Sequence, residues 1–271
     1  MANQYQLVVC AGIVPDPLQT LEPVGGGEAP ALKNETMLPA VLDPWAASAL
    51  YEAAALAGKN PGSKIWLVSM APKAKLQQVM MAVAQKVPFE LVAVDGPMGG
   101  FTESSSVADL LAEAIKGIAG LDMTKVLLFG GWESAARGMG TTLQAVGELL
   151  GIRDQFQGVD EVEVNADGTM KILERIEGGK HQVSALQSPP AVFGWATGKL
   201  AEPPNNPQVG MQNMRTIMPA LQKAKPGKPD LKGLKFLSAA LPTVKRETRV
   251  VKDVPLDDMA KELAAWVKGG N

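Results

Sequence analysis

The chain has 271 residues, of which 46% are hydrophobic and 20% are charged, and its formal net charge is −2. This balance is typical of a globular protein with one sizeable core. The slight negative charge excludes a function that depends on a strongly basic surface, so we expect no binding to nucleic acid or to anionic membranes.

Four short apolar runs alternate with four amphipathic stretches in the first part of the chain. The runs are rich in Val, Ile and Leu and predict buried strands over Leu7–Ala11, Ile65–Met70, Leu91–Val94 and Val126–Phe129. The stretches place their apolar residues on one face and predict helices over Pro44–Ala57, Lys73–Gln85, Ser106–Ile118 and Met139–Leu150. Asp43 is the expected N-cap of the first helix. The alternation predicts an α/β fold, a mostly parallel sheet with helices on both faces.

The pattern changes after Gly151. Val159–Val164 and Met170–Ile176 alternate in polarity around an Asn-Ala-Asp-Gly turn sequence, which predicts a β-hairpin. Pro190–Ala196 is apolar and predicts a further strand that returns to the main sheet.

The last third of the chain is less regular. Glu202–Pro219 is rich in Pro, Asn, Gln and Met and predicts a long irregular loop, and Lys223–Lys235 predicts a linker. Pro255–Lys268 suits one amphipathic helix. We therefore expect a domain over residues 1–222, followed by a linker and a C-terminal arm over residues 223–271 that packs on a partner subunit.

Two residue types that carry chemistry occur once each. Cys10 is the only cysteine, so no disulfide can form within the chain. His181 is the only histidine, which excludes metal sites with several histidines; its Gly-Gly-Lys-His context indicates a surface residue in a turn or edge strand. Signal-peptide features and long apolar runs are missing, so we expect a cytoplasmic protein without membrane insertion.

Several segments resemble the β subunit of electron-transfer flavoproteins, and they occur in the order of that family. The matching segments are Leu7–Asp16, Leu42–Trp45, Leu67–Pro72, Glu174–Gly179, Pro190–Val192 and Ile217–Ala220. The family has an Arg-Glu-x-Asp-Gly-Gly segment followed by Pro-Ala-Val, which Glu174–Gly179 and Pro190–Val192 resemble most specifically. No single segment is decisive, but their order and spacing agree with the strand and helix pattern.

The resemblance implies a Rossmann-like fold of the adenine-nucleotide α-hydrolase type and a heterodimer with an α subunit. FAD is then held mainly by the α subunit and covered in part by this chain. The pair accepts electrons from a flavoprotein dehydrogenase and passes them to a quinone-linked acceptor. The chain is expected to be an electron-transfer protein and not an enzyme, because the flavin performs the redox chemistry.

Members of the family also bind a structural AMP in a loop whose sequence differs in this chain. The family loop resembles Gly-x-Gln-Ala-x-Asp-x-Asp-x-x-Gln-x-Gly, and the chain has Gly131–Leu143 in its place. Glu133 replaces the first Gln, and Leu143 replaces the glycine on the phosphate side. Ala136 and Gly138 replace the two acidic residues. In one hypothesis AMP is lost, and the pocket is empty or filled by side chains such as Trp132. In the other, a phosphate cradle is rebuilt by Arg137, Gly138, Gly140, Thr141 and Thr142. We favour loss.

The resemblance carries site residues over to this chain. The cofactor-binding positions are Gly12, Trp45, Met70, Gly131, Arg137, Gly138, Gly140, Thr141 and Thr142. The partner-binding positions are Met214, Arg215 and Ile217, with Met214 at the anchor of the family's recognition loop.

Two other classes of function remain open from the sequence. The same α/β scaffold hosts nucleotide-using enzymes, although the chain has neither an intact phosphate loop nor a catalytic acid–base set. A regulatory subunit that keeps the dimer interface but carries no electrons is the third hypothesis.

Overall fold

The computed structural model describes residues 4–25, 31–97, 102–136, 138–230, 233, 235, 237–243, 245 and 247–269. Strands β1 to β7 are Gln6–Cys10, Ile13–Pro15, Pro23–Val24, Ala31–Leu32, Ala40–Leu42, Lys64–Ala71 and Glu90–Asp95. Strands β8 to β13 are Val126–Gly131, Gln155–Val164, Met170–Ile176, Lys180–Leu186, Ala191–Trp195 and Lys225–Pro226. Helices α1 to α6 are Pro44–Lys59, Lys73–Val83, Ser104–Lys116, Thr142–Leu149, Pro207–Lys223 and Leu256–Val267. Short 3₁₀ helices cover Glu35–Met37, Met123–Lys125 and Glu177–Gly179.

Nine strands form one sheet in the order β11-β10-β9-β12-β8-β1-β6-β7-β13. Every pairing from β9 to β13 in this order is parallel, whereas β10 and β11 add an antiparallel extension beyond β9. The predicted α/β fold with a mostly parallel sheet, helices on both faces and a β-hairpin is therefore confirmed. The sequence did not predict β11, which lengthens the hairpin into a three-stranded meander.

The central strand β1 explains why helices cover both faces of the sheet. Leu7 and Val9 point into a core beneath α1, α2 and α5, whereas Val8 and Cys10 point into a second core beneath α3 and α4. All four side chains are buried. A strand buried on both faces contains a continuous apolar run, which is the pattern that predicted it.

The start of α1 is fixed by local chemistry that the sequence predicted. The Asp43 carboxylate accepts a hydrogen bond from the Trp45 N–H at 3.1 Å and caps the helix. Pro44 occupies the first turn, where its missing N–H costs nothing. Ala49, Leu50 and Ala53 face the core, and the small side chains of the two alanines allow the helix to lie close to the sheet.

The predicted loop over Glu202–Pro219 is wrong, because α5 begins at Pro207. Asn206 caps this helix by accepting the N–H groups of Gln208 and Val209. The buried Asn213 side chain donates to the Ala84 and Val87 carbonyls and accepts the Phe89 N–H, which joins the helix to the end of α2. Asn206 followed by Pro207 is a helix start signal, which the predicted loop did not take into account.

The C-terminal arm behaves differently from the rest of the chain. The predicted helix over Pro255–Lys268 is present as α6, and none of its residues is buried. Strand β13 pairs with β7, so the sheet extends to Pro226, past the domain boundary expected at residue 222. Residues 231, 232 and 234 of the predicted linker lie outside the described residues.

Candidate functional site

The sheet has a switch point at the carboxyl ends of β1 and β8. The chain runs from β1 to β6 and β7 on one side and then crosses to β8 on the other side of β1. Helices consequently leave the sheet on opposite faces at this point, and open α/β sheets bind their ligands in the crevice that results.

A cavity of about 150 Å³ lies at the switch point. It is lined by Cys10, Ala11, Gly12, Asp43, Ala46, Met70, Val107, Leu111, Gly131, Glu133, Ser134, Thr142 and Leu143. The structure thus brings together four predicted cofactor-binding positions, Gly12, Met70, Gly131 and Thr142, from four separate segments. Asp43, Ser134 and Leu143 belong to the same cavity and were not predicted as site residues.

Trp45, Gly138, Gly140 and Thr141 are the other described cofactor-binding positions of the prediction, and they do not line the cavity. A β-carbon placed on Gly131 would lie 2.7 Å from the β-carbon of Trp45, so the partly exposed Trp45 stands directly beside the cavity. Gly138, Gly140 and Thr141 lie on the stretch that leads into α4. Arg137 lies outside the described residues.

Asp43 has a second role that its helix-capping position did not reveal. Its carboxylate accepts a hydrogen bond from the Ala135 N–H at 2.8 Å. Burial raises the pKa of Asp43, and hydrogen bonds from Ala135, Ser134 and the start of α1 oppose that rise. One buried carboxylate therefore ties α1 to the loop after β8.

The loop after β8 folds against its own backbone and the neighbouring strand. Ser134 Oγ accepts the Ala136 N–H at 3.2 Å, and the Ser134 carbonyl accepts the Gly138 N–H at 2.7 Å. A β-carbon on Gly140 would lie 1.9 Å from the Trp132 carbonyl oxygen, and Gly140 has φ +62. Glycine is thus required there by both space and backbone conformation.

Trp132 does not fill the cavity, contrary to one expectation from the sequence. Its indole ring packs over Gly158 on β9, where a β-carbon would lie 3.2 Å from the ring. The Trp132 backbone N–H donates to the Trp195 carbonyl at 3.0 Å. Leu143 fills the space beneath α4 instead, and only 4% of its surface is exposed.

Apolar side chains form much of the remaining cavity wall. Burial raises the pKa of the Cys10 thiol to about 12, so the thiol is protonated at neutral pH. Met70 is buried on the neighbouring strand. Both residues contribute packing surface and no charge to the site.

The predicted partner-binding residues lie on α5 in different environments. Arg215 is exposed, Met214 is half-buried against the core, and Ile217 is fully buried. The structure therefore places the Ile217 side chain in the core, where a partner cannot contact it without rearrangement. Met211, one turn before Met214, is 66% exposed.

A charged cluster holds the antiparallel extension together. Arg175 donates to both oxygens of Asp160, at 3.1 and 2.7 Å, and His181 Nε2 lies 2.9 Å from the same carboxylate. Burial raises the pKa of Asp160, but the hydrogen bonds and charges of Arg175 and His181 outweigh burial and hold the pKa below its ordinary value. His181 lies on the edge strand β11, one of the two positions that its sequence context indicated.

The described part of the chain contains no cluster of His, Cys, Asp and Glu that could hold a metal ion. Among these residues, no helix is both long and apolar enough to cross a membrane.

The sheet order and the cavity at its switch point define an α/β protein of the Rossmann-like class. The chain matches the electron transfer flavoprotein domain over residues 34–224, which is well over half of its length. It therefore belongs to the electron transfer flavoprotein family, whose members are electron carriers and not enzymes. No curated protein matches the chain.

Proposed function

We propose that this chain is the β subunit of an electron-transfer flavoprotein. Together with an α subunit it covers FAD, accepts electrons from a flavoprotein dehydrogenase and delivers them to a quinone-linked acceptor. The order of the β-type segments along the chain supports the choice of subunit. The main observation that supports a heterodimer is the exposed apolar face of α6. A cytoplasmic location remains a prediction.

The C-terminal arm exposes an apolar helix face that a partner subunit would cover. Leu256, Leu263 and Trp266 on α6 are all exposed, and Trp266 exposes 72% of its surface. A helix of 12 residues is marginally stable in water unless it buries an apolar face. The described residues of this chain bury none of α6, so the face is available to an α subunit.

The rim of the cavity suits a flat aromatic ring held mainly by another subunit. Gly12 is exposed at the end of β1, and a β-carbon there would have no atom within 4 Å. Trp45 stands beside Gly131 on the same rim and offers an aromatic edge or face. FAD, when bound, supplies the redox chemistry. Gly12 and Trp45 would shape its surroundings and limit the access of water.

A row of methionines on α5 supports a docking surface for the dehydrogenase. Met211, Met214 and Met218 recur at helical spacing, beside the buried row that ends at Leu221. Methionine adapts its shape to a partner, which suits a carrier that meets more than one protein. Since Met211 is more exposed than Met214, we propose that both side chains contact the dehydrogenase.

Co-expression with the candidate α subunit tests the proposal. We expect a 1:1 complex that contains one flavin and that a flavoprotein dehydrogenase reduces. Trp266→Glu should prevent assembly, whereas the matched change Val250→Glu, at an exposed apolar position outside the helix, should leave it intact. A flavin-free complex would indicate a regulatory subunit and contradict the carrier role. Substrate turnover without a dehydrogenase would contradict it as well.

Met211→Ala and Met214→Ala test the docking surface in that complex. Each should slow flavin reduction by the dehydrogenase, by about tenfold for a loss of 1.4 kcal/mol. The flavin content and spectrum should not change. Met81→Ala is the control, because Met81 is an exposed methionine on a different helix, α2. Unchanged reduction rates in both α5 variants would rule out this surface.

A further inference from the structure

We infer that this chain closes the AMP site of its family with its own side chains. The Asp43 carboxylate accepts a hydrogen bond from the loop after β8, and the Leu143 side chain fills the space beneath the first turn of α4. The inference rests on the proposed β-subunit role, because that role is what gives the chain a structural AMP site. Asp43 and Leu143 thereby determine which ligand the switch point accepts.

The first argument is space. Sites for small organic ligands enclose roughly 300–1,000 Å³, whereas the cavity encloses about 150 Å³. Leu143 accounts for the small volume, because its side chain packs directly on the end of β8. A β-carbon on Gly130 would lie only 2.9 Å from Leu143 Cδ1. The cavity is smaller than that range, and Leu143 occupies part of the space that a nucleotide needs.

The second argument is that three backbone donors of the loop after β8 already have partners within the chain. A phosphate site in a loop needs backbone N–H groups that point at the ligand. The Ala135 N–H instead donates to Asp43, the Ala136 N–H donates to Ser134 Oγ, and the Gly138 N–H donates to the Ser134 carbonyl. The buried carboxylate of Asp43 thus takes part of the role that a bound anion has elsewhere.

The third argument is charge. Asp43 and Glu133 both line the cavity, and none of its described lining residues is basic. Asp43 is 3% exposed and accepts hydrogen bonds from the N–H groups of Trp45 and Ala135, while burial raises its pKa. A phosphate here would face like charges in a partly dehydrated site, where water screens them poorly.

The alternative of a rebuilt phosphate cradle has little geometric support. Of the four described residues of that cradle, Gly138, Gly140, Thr141 and Thr142, only Thr142 lines the cavity, and Arg137 lies outside the described residues. Thr141 precedes α4 without a capping hydrogen bond from its side chain and points to an exposed position. Gly140 is constrained by the nearby Trp132 carbonyl.

The first test uses the full wild-type chain, alone and in complex with its α subunit. AMP is titrated by calorimetry and by its effect on Tm, and nucleotide released from the denatured protein is quantified separately from flavin. We expect no heat of binding and no released AMP. We also expect no Tm shift at about 1 mM AMP, a concentration roughly 1,000-fold above a micromolar Kd. Stoichiometric AMP in the wild type would overturn the inference.

The second test reopens the site with Asp43→Asn combined with Leu143→Gly. The asparagine keeps an oxygen for the Trp45 N–H but directs N–H donors at Ala135, so the loop loses its tie while α1 keeps its cap. Glycine at position 143 removes the side chain that fills the cavity. We expect AMP to raise the Tm of this variant and to bind with a stoichiometry near one, at least about tenfold more tightly than the wild type.

Matched controls and a milder variant keep the second test decisive. Asp122→Asn changes another carboxylate that caps a short helix, and Leu149→Gly changes an exposed leucine in α4; neither should gain AMP binding. If the double variant does not fold, Leu143→Ala with Asp43→Asn replaces it. A folded variant that still ignores AMP would show that Asp43 and Leu143 do not determine the ligand. The flavin count of the complex reports on the carrier role independently.

Discussion

The α/β body and the C-terminal arm of this protein contain the same kind of helix in opposite situations. In α1, Leu50 and its neighbours are buried against the sheet. In α6, Leu263 and Trp266 form a similar apolar face, but no residue of the helix is buried. The body therefore satisfies its apolar surface within the chain, whereas the arm is built for another surface. The apolar residues of the body are therefore needed for folding, whereas those of α6 are needed for the proposed assembly with a partner.

The largest expected effect tests that contrast directly. Leu50→Ala should lower the free energy of unfolding by about 2–5 kcal/mol, because it removes buried methyl groups and leaves a cavity. Leu263→Ala makes the same chemical change on α6 and should alter the stability of the isolated chain by no more than about 0.5 kcal/mol. Urea denaturation of both variants measures this difference. Equal losses would show that α6 is packed against this chain.

The next effect concerns two glycines in the loop that closes the switch point. Gly138 and Gly140 both have positive φ, but only Gly140 has an atom within 4 Å of an added β-carbon. Gly138→Ala should cost about 1–2 kcal/mol for the left-handed backbone. Gly140→Ala should cost about 1–3 kcal/mol more, because the loop must move away from the Trp132 carbonyl. Thermal unfolding of the two variants separates strain from crowding, and equal Tm values would remove the crowding argument.

A smaller effect distinguishes the carboxylate of the site from that of the β-sheet extension. The pKa of Asp160 is lowered in the folded protein, so its contribution to stability is present above its ordinary pKa of 3.8 and is lost as the pH falls through the lowered value. The pKa of Asp43 is raised, so its contribution is present below 3.8 and is lost as the pH rises through the raised value.

Asp160→Asn and Asp43→Asn should therefore change the pH dependence of stability in opposite directions. The free energy of unfolding, measured between pH 3 and pH 6, gives the two slopes. Relative to Asp160→Asn, the wild type should lose stability on acidification. Relative to Asp43→Asn, it should lose stability as the pH rises. Slopes of the same sign would contradict the electrostatic description of one of the two sites.

The smallest expected effect on the chain itself is removal of residues 254–271, which include α6. Because the described residues of α6 bury nothing, the Tm of the isolated chain should change by less than about 3 °C, the shift expected for 1 kcal/mol in a domain of this size. Assembly with the α subunit should be lost. A truncated chain that still forms the flavin-containing complex would move the subunit interface away from α6.

Local sequence patterns were sufficient for much of the fold. The buried run before Cys10 predicted β1, and Asp43 followed by Pro44 predicted the first turn of α1, because capping and strand burial depend on neighbouring residues. The same local logic failed for α5. Its buried row is broken by polar Asn213, and Pro219 lies inside the helix, so the apolar period is weak. Asn213 is buried because it bonds the end of α2, a contact that no local pattern encodes.

The same distinction between sequence information and tertiary structure applies to the candidate site. The resemblance of the sequence to its family named Gly12, Met70, Gly131 and Thr142 as cofactor-binding positions, and the structure places all four in the lining of one cavity. Only the tertiary structure decided how the site is closed. The hydrogen bond from the Ala135 N–H to Asp43 joins residues 92 positions apart, and Leu143 fills space that exists only once α4 packs on β8. Distances between remote segments are set by packing of the whole core, and a single sequence does not contain them in readable form.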